Sequence, residues 1–175
     1  LRPDNYPEGL IGSGVKICDV QTQNGIEKLA VINLMGQYGM PTVENPFNWA
    51  KKLVTNLQEQ NIKNIFLDFH AEVTSEKRIM LMMFKNQISA ICGTHTHVGT
   101  DDLQIFENTA YLTDIGLTGC RDNVIGMDSK IPIQKVTTGI GGHFEVPNSC
   151  KSILQMMVVD IEDGKASSAF KIKKY

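Results

Sequence analysis

Ile62-Lys63-Asn64-Ile65-Phe66-Leu67-Asp68-Phe69-His70 is the clearest strand in the sequence, and its reading decides the fold. The apolar centre Ile65-Phe66-Leu67 predicts a buried strand that ends in Asp68-Phe69-His70. Upstream, Asn45-Pro46 predicts a helix start, with Asn as cap and Pro in the first turn. Phe47, Ala50, Leu53, Val54 and Leu57 follow at helical spacing, so an amphipathic helix should run to about Gln60. Downstream, Thr74 to Phe84 predicts a second helix that Thr74 or Ser75 can cap, with Met80, Met82 and Met83 expected in the core. Ile88 to Cys92 predicts another buried strand, followed by Gly93. A third apolar run, Ala110 to Leu112, leads into Thr113-Asp114-Ile115-Gly116, and Lys28 to Leu34 predicts a short strand ahead of both helices. Strand, helix, strand, helix, strand is the pattern of an α/β fold. Near the end, Ser152 to Ile161, the turn Asp163-Gly164 and Ala166 to Ile172 predict an antiparallel hairpin. Residues 1–14 carry loop chemistry, and residues 117–150 give no assignable element. No repeat or linker divides the chain, so 1–175 is expected to be one domain.

The chain has 175 residues, 42% hydrophobic and 21% charged, which is ordinary globular composition. Lysine and arginine number 17 against 19 acids, for a net charge of −2. Without a basic field, binding to duplex nucleic acid or an anionic membrane is not expected. No apolar stretch approaches the roughly 18 to 20 residues of a membrane span. The opening Leu1-Arg2-Pro3-Asp4 lacks a signal-peptide layout. Cys18, Cys92, Cys120 and Cys150 match no metal ribbon, so four free thiols in a reducing cytoplasm are expected.

The chemistry concentrates in the histidines. His70 follows one buried strand, and Thr94-His95-Thr96-His97 follows another. Ligands of open parallel sheets bind beyond the carboxyl ends of the strands, so these three histidines should converge. Imidazole is the commonest side-chain ligand of divalent transition ions, and metal binding is the favoured reading. A hydrogen-bonded loop pair is the plain alternative for His95 and His97. Asp68 and Glu72 flank His70, and Asp114 follows the next strand. Each acid could ligate, orient an imidazole, or be an ordinary capping carboxylate. His143 lies in a glycine-rich run, Gly139-Ile140-Gly141-Gly142, that lacks a phosphate-loop ending and is expected to be a plain loop. Cys92 near His95 could form a dyad, but its apolar surroundings favour a buried thiol.

Several segments together resemble the YmdB-like bacterial metallophosphoesterases. They are Arg2-Pro3-Asp4-Asn5-Tyr6-Pro7-Glu8-Gly9, Asp68-Phe69-His70-Ala71-Glu72, Thr74-Ser75-Glu76-Lys77, Gly93-Thr94-His95-Thr96-His97-Val98, Thr113-Asp114-Ile115-Gly116-Leu117-Thr118-Gly119 and Gly126-Met127-Asp128. The resemblance runs along nearly the whole chain and maps it to the C-terminal two-thirds only of a family member. It implies the calcineurin-like phosphoesterase superfamily and part of a four-layer α/β/β/α sandwich, here lacking the N-terminal strands. It further implies a metal-dependent phosphodiesterase or phosphatase acting on small phosphodiesters such as cyclic nucleotides, of the 2',3'-cyclic AMP type. Two divalent ions are implied, iron or manganese first and zinc or cobalt otherwise, with His70 and His95 on one and His97 on the other. Two-ion chemistry activates a hydroxide for in-line attack.

Family members also carry Gly-Asp, Gly-Glu-Asn and Gly-Asn-His motifs that supply the acidic ligands and the His that protonates the leaving group. None occurs in this sequence, so the catalytic proton donor is unassigned here and the chain is expected to be N-terminally truncated. The competing expectation is a catalytically incomplete remnant that binds metal or serves as an interaction module. Exposed sheet edges would favour self-association.

Overall fold

The computed structural model describes residues 2–175. Among these residues nine strands and three helices follow one another. They are β1 (Val15–Thr22), β2 (Gly25–Met35), α1 (Pro46–Glu59), β3 (Asn64–His70), α2 (Thr74–Phe84), β4 (Ala90–Thr94), β5 (Gln104–Phe106), β6 (Thr109–Leu112), β7 (Gly119–Cys120), α3 (Lys130–Thr138), β8 (Ser152–Glu162) and β9 (Lys165–Lys174). Six strands form one sheet in the order β1-β2-β3-β4-β6-β5, and β7-β8-β9 form a second. Strands β2, β3, β4 and β6 run parallel, while β1 and β5 close the edges antiparallel.

The two-residue period of β3 separates two environments. Ile65, Leu67 and Phe69 are buried and join Val54 and Leu57 of α1 and Met80 and Leu81 of α2 in the main core. Each such fully buried side chain contributes about 1.5–3 kcal/mol over an exposed one. Phe66, Asp68 and His70 face the other way. There Phe66 packs with Ala90 and Ala110 against Met157, Val159, Ala166 and Ala169 of the second sheet. Helices, large sheet and small sheet therefore make three packed layers of the expected four. The remaining helix, α3, buries none of its residues.

Helix α1 starts as the sequence predicts, with the Asn45 side chain accepting from the backbone N–H of Phe47 and Asn48. The expected cap of α2 by Thr74 or Ser75 is not observed. Its cap position is Val73, which offers no side-chain bond. Glu76 of the first turn instead accepts from the backbone N–H of Gln37 at 2.9 Å and of Tyr38 at 3.4 Å. Of the three methionines placed in the core, only Met80 is buried, because Met82 and Met83 fall outside the buried stripe of the helix and are exposed. Strands β1 and β5 and helix α3 fall in stretches that sequence pattern leaves unassigned.

The expectation of four free thiols is corrected. Cys120 and Cys150 form a disulfide, and Cys18 and Cys92 are free. Cys120 of β7 pairs with Ser152 of β8, so Cys150 sits beside it at the base of the intervening excursion. Linear spacing does not reveal that return. Burial pushes the Cys92 thiol up to about 12, which removes it as a nucleophile.

Lys77 and Asp114 form a buried ion pair at 3.0 Å, each side chain only 1% exposed. Removing one partner of such a pair strands a buried charge. Lys77→Met should therefore destabilise the fold by about 3–5 kcal/mol in chemical denaturation, and a loss under about 1 kcal/mol would contradict this role. Thiol titration under non-reducing conditions should find two thiols per unfolded chain, with Cys92 unreactive in the native protein. Four thiols per unfolded chain would refute the disulfide.

Candidate metal centre

Parallel pairing builds the site. His70, the last residue of β3, stands opposite Thr94, the last residue of β4, and His95 follows at once. Thr94 Oγ1 lies 3.0 Å from His70 Nδ1 and donates to Asp68 Oδ1 at 2.8 Å. The other Asp68 oxygen accepts from Asn33 Nδ2 of β2 at 2.7 Å. Four side chains from three adjacent strands are thus linked beyond the core.

The turn after β4 is tight. Gly93 is required there, since a Cβ would overlap the carbonyl oxygen of Thr113. His95 has φ 117° and His97 has φ 62°, both in the left-handed region that side chains disfavour. Such strain persists only where surrounding bonds enforce it, and it concentrates at functional sites. The enforcement comes from the neighbouring loop. Asp114 Oδ2 accepts from Thr96 N–H at 3.0 Å as well as from Lys77, and Ile115 N–H donates to Gly93 O at 2.9 Å. Asp114 Oδ1 accepts from Gly116 N–H at 3.0 Å. Asp114 is therefore a clamp on the histidine loop, with its oxygens already engaged.

His95 Nδ1 lies 3.1 Å from His70 Nε2, with the two rings almost perpendicular. On its other side, His95 Nε2 meets Glu72 Oε2 at 3.1 Å. His97 Nδ1 meets the carbonyl oxygen of Ile125 at 2.7 Å. A carboxylate and a carbonyl only accept, so these bonding roles put protons on His95 Nε2 and His97 Nδ1. Lone pairs then remain on His95 Nδ1 and His97 Nε2. Metal-ligating histidines carry this arrangement, with the second ring nitrogen donating to a carboxylate or backbone carbonyl. Burial, reinforced by His95, holds His70 below the ordinary imidazole range, against an opposing pull from Asp68.

The fit to a divalent ion can be judged from the paired rings. Two nitrogens on one ion, with bonds of about 2.0–2.1 Å, stand about 3.0–3.4 Å apart. His70 Nε2 and His95 Nδ1 match that separation. His97 is turned toward Ile125 and is not gathered with them. Among the described residues no three His, Cys, Asp or Glu side chains form a single metal-holding group. The chain thus presents two convergent ligands and one further ligand-competent ring.

Asp68 and Glu72 occupy supporting positions behind His70 and His95. His143 instead lines a different cavity with Asp128, Lys130, Ile131 and Glu145. Thr94, Asn33 and Lys77 were not singled out by the sequence. Lys77 did leave a signal, for it shares helical spacing with the buried Leu81 and Phe84.

The family model of the YmdB-like protein family matches residues 1–174. A 2',3'-cyclic-nucleotide 2'-phosphodiesterase of Bacillus subtilis (strain 168) is 40% identical over 175 residues. That alignment takes in 99% of this chain and 64% of the relative, so the chain spans less than two-thirds of the relative's length. The crystal structure of a phosphatase from Mycoplasma pneumoniae superposes with TM-score 0.85 at 31% identity, covering 99% of this chain and 63% of that one. A hypothetical protein from Thermus thermophilus superposes with TM-score 0.89 at 29% identity, covering 99% and 66%. The likeness is not confined to the C-terminal two-thirds, since the family match runs along this chain from end to end. With helices on one face of a mixed sheet and a second sheet on the other, this is the metallophosphoesterase fold, and the chain belongs to the YmdB-like protein family.

Proposed function

We propose that this chain carries the histidine part of a metal-dependent phosphodiesterase or phosphatase that hydrolyses small phosphodiesters such as 2',3'-cyclic nucleotides. One observation carries the reading. His70 and His95 direct ring nitrogens at each other 3.1 Å apart, at the carboxyl ends of parallel strands. The names of the Bacillus and Mycoplasma relatives, a cyclic-nucleotide phosphodiesterase and a phosphatase, support the reaction class. His70 and His95 hold one divalent transition ion, iron or manganese before zinc or cobalt. His97 serves a second through Nε2, while Ile125 fixes its ring. An ion bound there supplies Lewis-acid polarisation of a phosphoryl oxygen and activation of water. Glu72 keeps the His95 Nε2 proton and offsets positive charge as substrate enters. Asp114 and Lys77 hold the loop in its strained form. The same reading takes the protein as a cytoplasmic enzyme, self-associating, that acts on small molecules and not on nucleic-acid duplexes. No helix among the described residues is long and apolar enough to cross a membrane.

A second reading, a metal-binding or interaction module without turnover, is favoured by the lack of a third donor in the group among the described residues. Hydrolysis of 2',3'-cyclic AMP and of bis(p-nitrophenyl) phosphate with added Mn²⁺ separates the two. Turnover is expected, with His95→Ala abolishing it at unchanged far-ultraviolet circular dichroism and His143→Ala leaving it intact. Metal uptake without turnover would select the second reading, and turnover retained by His95→Ala would remove His95 from the chemistry.

A further inference from the structure

We infer that Thr94 is a positioning residue that fixes the tautomer of His70, leaving the Nε2 lone pair aimed at His95. The placement of one proton decides this. The Thr94 hydroxyl has a single hydrogen and two acceptor lone pairs. Two groups contact that oxygen, Asp68 Oδ1 at 2.8 Å and His70 Nδ1 at 3.0 Å. The Asp68 carboxylate accepts only, so the hydroxyl hydrogen goes to Asp68. Pointing it at His70 would bring carboxylate and hydroxyl lone pairs face to face at 2.8 Å. The oxygen of Thr94 must then accept from His70, which places the imidazole proton on Nδ1. Asn33 anchors the far end, donating its amide N–H to Asp68 Oδ2 at 2.7 Å and so holding the carboxylate in register.

The consequence lies on the opposite nitrogen. Neutral His70 presents a bare Nε2 toward His95 Nδ1, whose own lone pair is left bare by Glu72. Two lone pairs at 3.1 Å repel unless a proton or a cation lies between them. Thr94 and Glu72, from opposite sides, therefore set up a pair of rings that a shared proton satisfies in the metal-free protein and a metal cation satisfies in its place. The Nδ1 proton of His70 follows from the bonds of Thr94 to Asp68 and His70. Its consequence for metal rests on the ligand reading of His70 and His95 given above.

Thr94→Val removes the hydroxyl and keeps the shape, and Thr94→Ser restores the hydroxyl. Nitrogen-15 spectra of histidine-labelled, metal-free protein report which His70 nitrogen carries the proton. The Nδ1-protonated form is expected in the parent protein and in Thr94→Ser, and is expected to be lost in Thr94→Val. Titration with Mn²⁺ should then show affinity falling about 10–100-fold in Thr94→Val and recovering in Thr94→Ser. A Thr94→Val protein that keeps the Nδ1-protonated ring overturns the proposal, as does an unchanged Mn²⁺ affinity beside a parent protein that binds. A parent protein that binds no Mn²⁺ would sink the ligand reading, and the nitrogen spectra would still decide the role of Thr94.

Discussion

Parallel pairing of β3 with β4 is the constraint on which the candidate site depends. The register sets His70 opposite Thr94 and Asp68 opposite Cys92. Because side chains alternate along a strand, Asp68 and His70 share the face turned away from the helices. Slipping that register by one residue would send His70 into the core and Phe69 into the site. The burial of Ile65, Leu67 and Phe69 beneath α1 and α2 therefore positions the imidazole as surely as any hydrogen bond does. Hydrophobic burial is non-directional, but on a pleated strand it determines direction for every second residue.

A second layer of control is electrostatic. Loop 94–97 holds two histidines at positive φ, a conformation that costs of order 1–3 kcal/mol per residue. What opposes that strain is a carboxylate, Asp114, paired with Lys77 in the interior and bonded to the backbone of Thr96 and Gly116. A buried ion pair is a poor source of net stability, since desolvation offsets attraction. Its value here is geometric, because a fixed charge gives the loop one place to bond. The same buried pair lies close enough to influence His70 through space, with Lys77 disfavouring its protonated form and Asp114 opposing that effect.

Much of this was legible in the sequence, for identifiable physical reasons. The cap of α1, helices α1 and α2, the core strands and the closing hairpin follow local rules of capping, periodicity and turn chemistry. Convergence of His70 and His95 followed from the behaviour of parallel sheets. Other features depend on the third dimension. The Cys120–Cys150 bond forms because a long excursion returns to the β7–β8 pair, which no linear spacing encodes. Thr94 was hidden between a glycine and a histidine, and only the register with His70 exposes its part. Lys77 was legible in principle, as a cation at a core position of α2.

Joint binding of one ion by His70 and His95 is the central proposal, and metal stoichiometry tests it most directly. The protein would be loaded with Mn²⁺, desalted and analysed for metal per chain beside the His70→Ala/His95→Ala double variant, with folding checked by circular dichroism. At least one ion per parent chain, lost in a folded double variant, is the predicted result. A metal-free parent, or a double variant that retains the same ion, would contradict it.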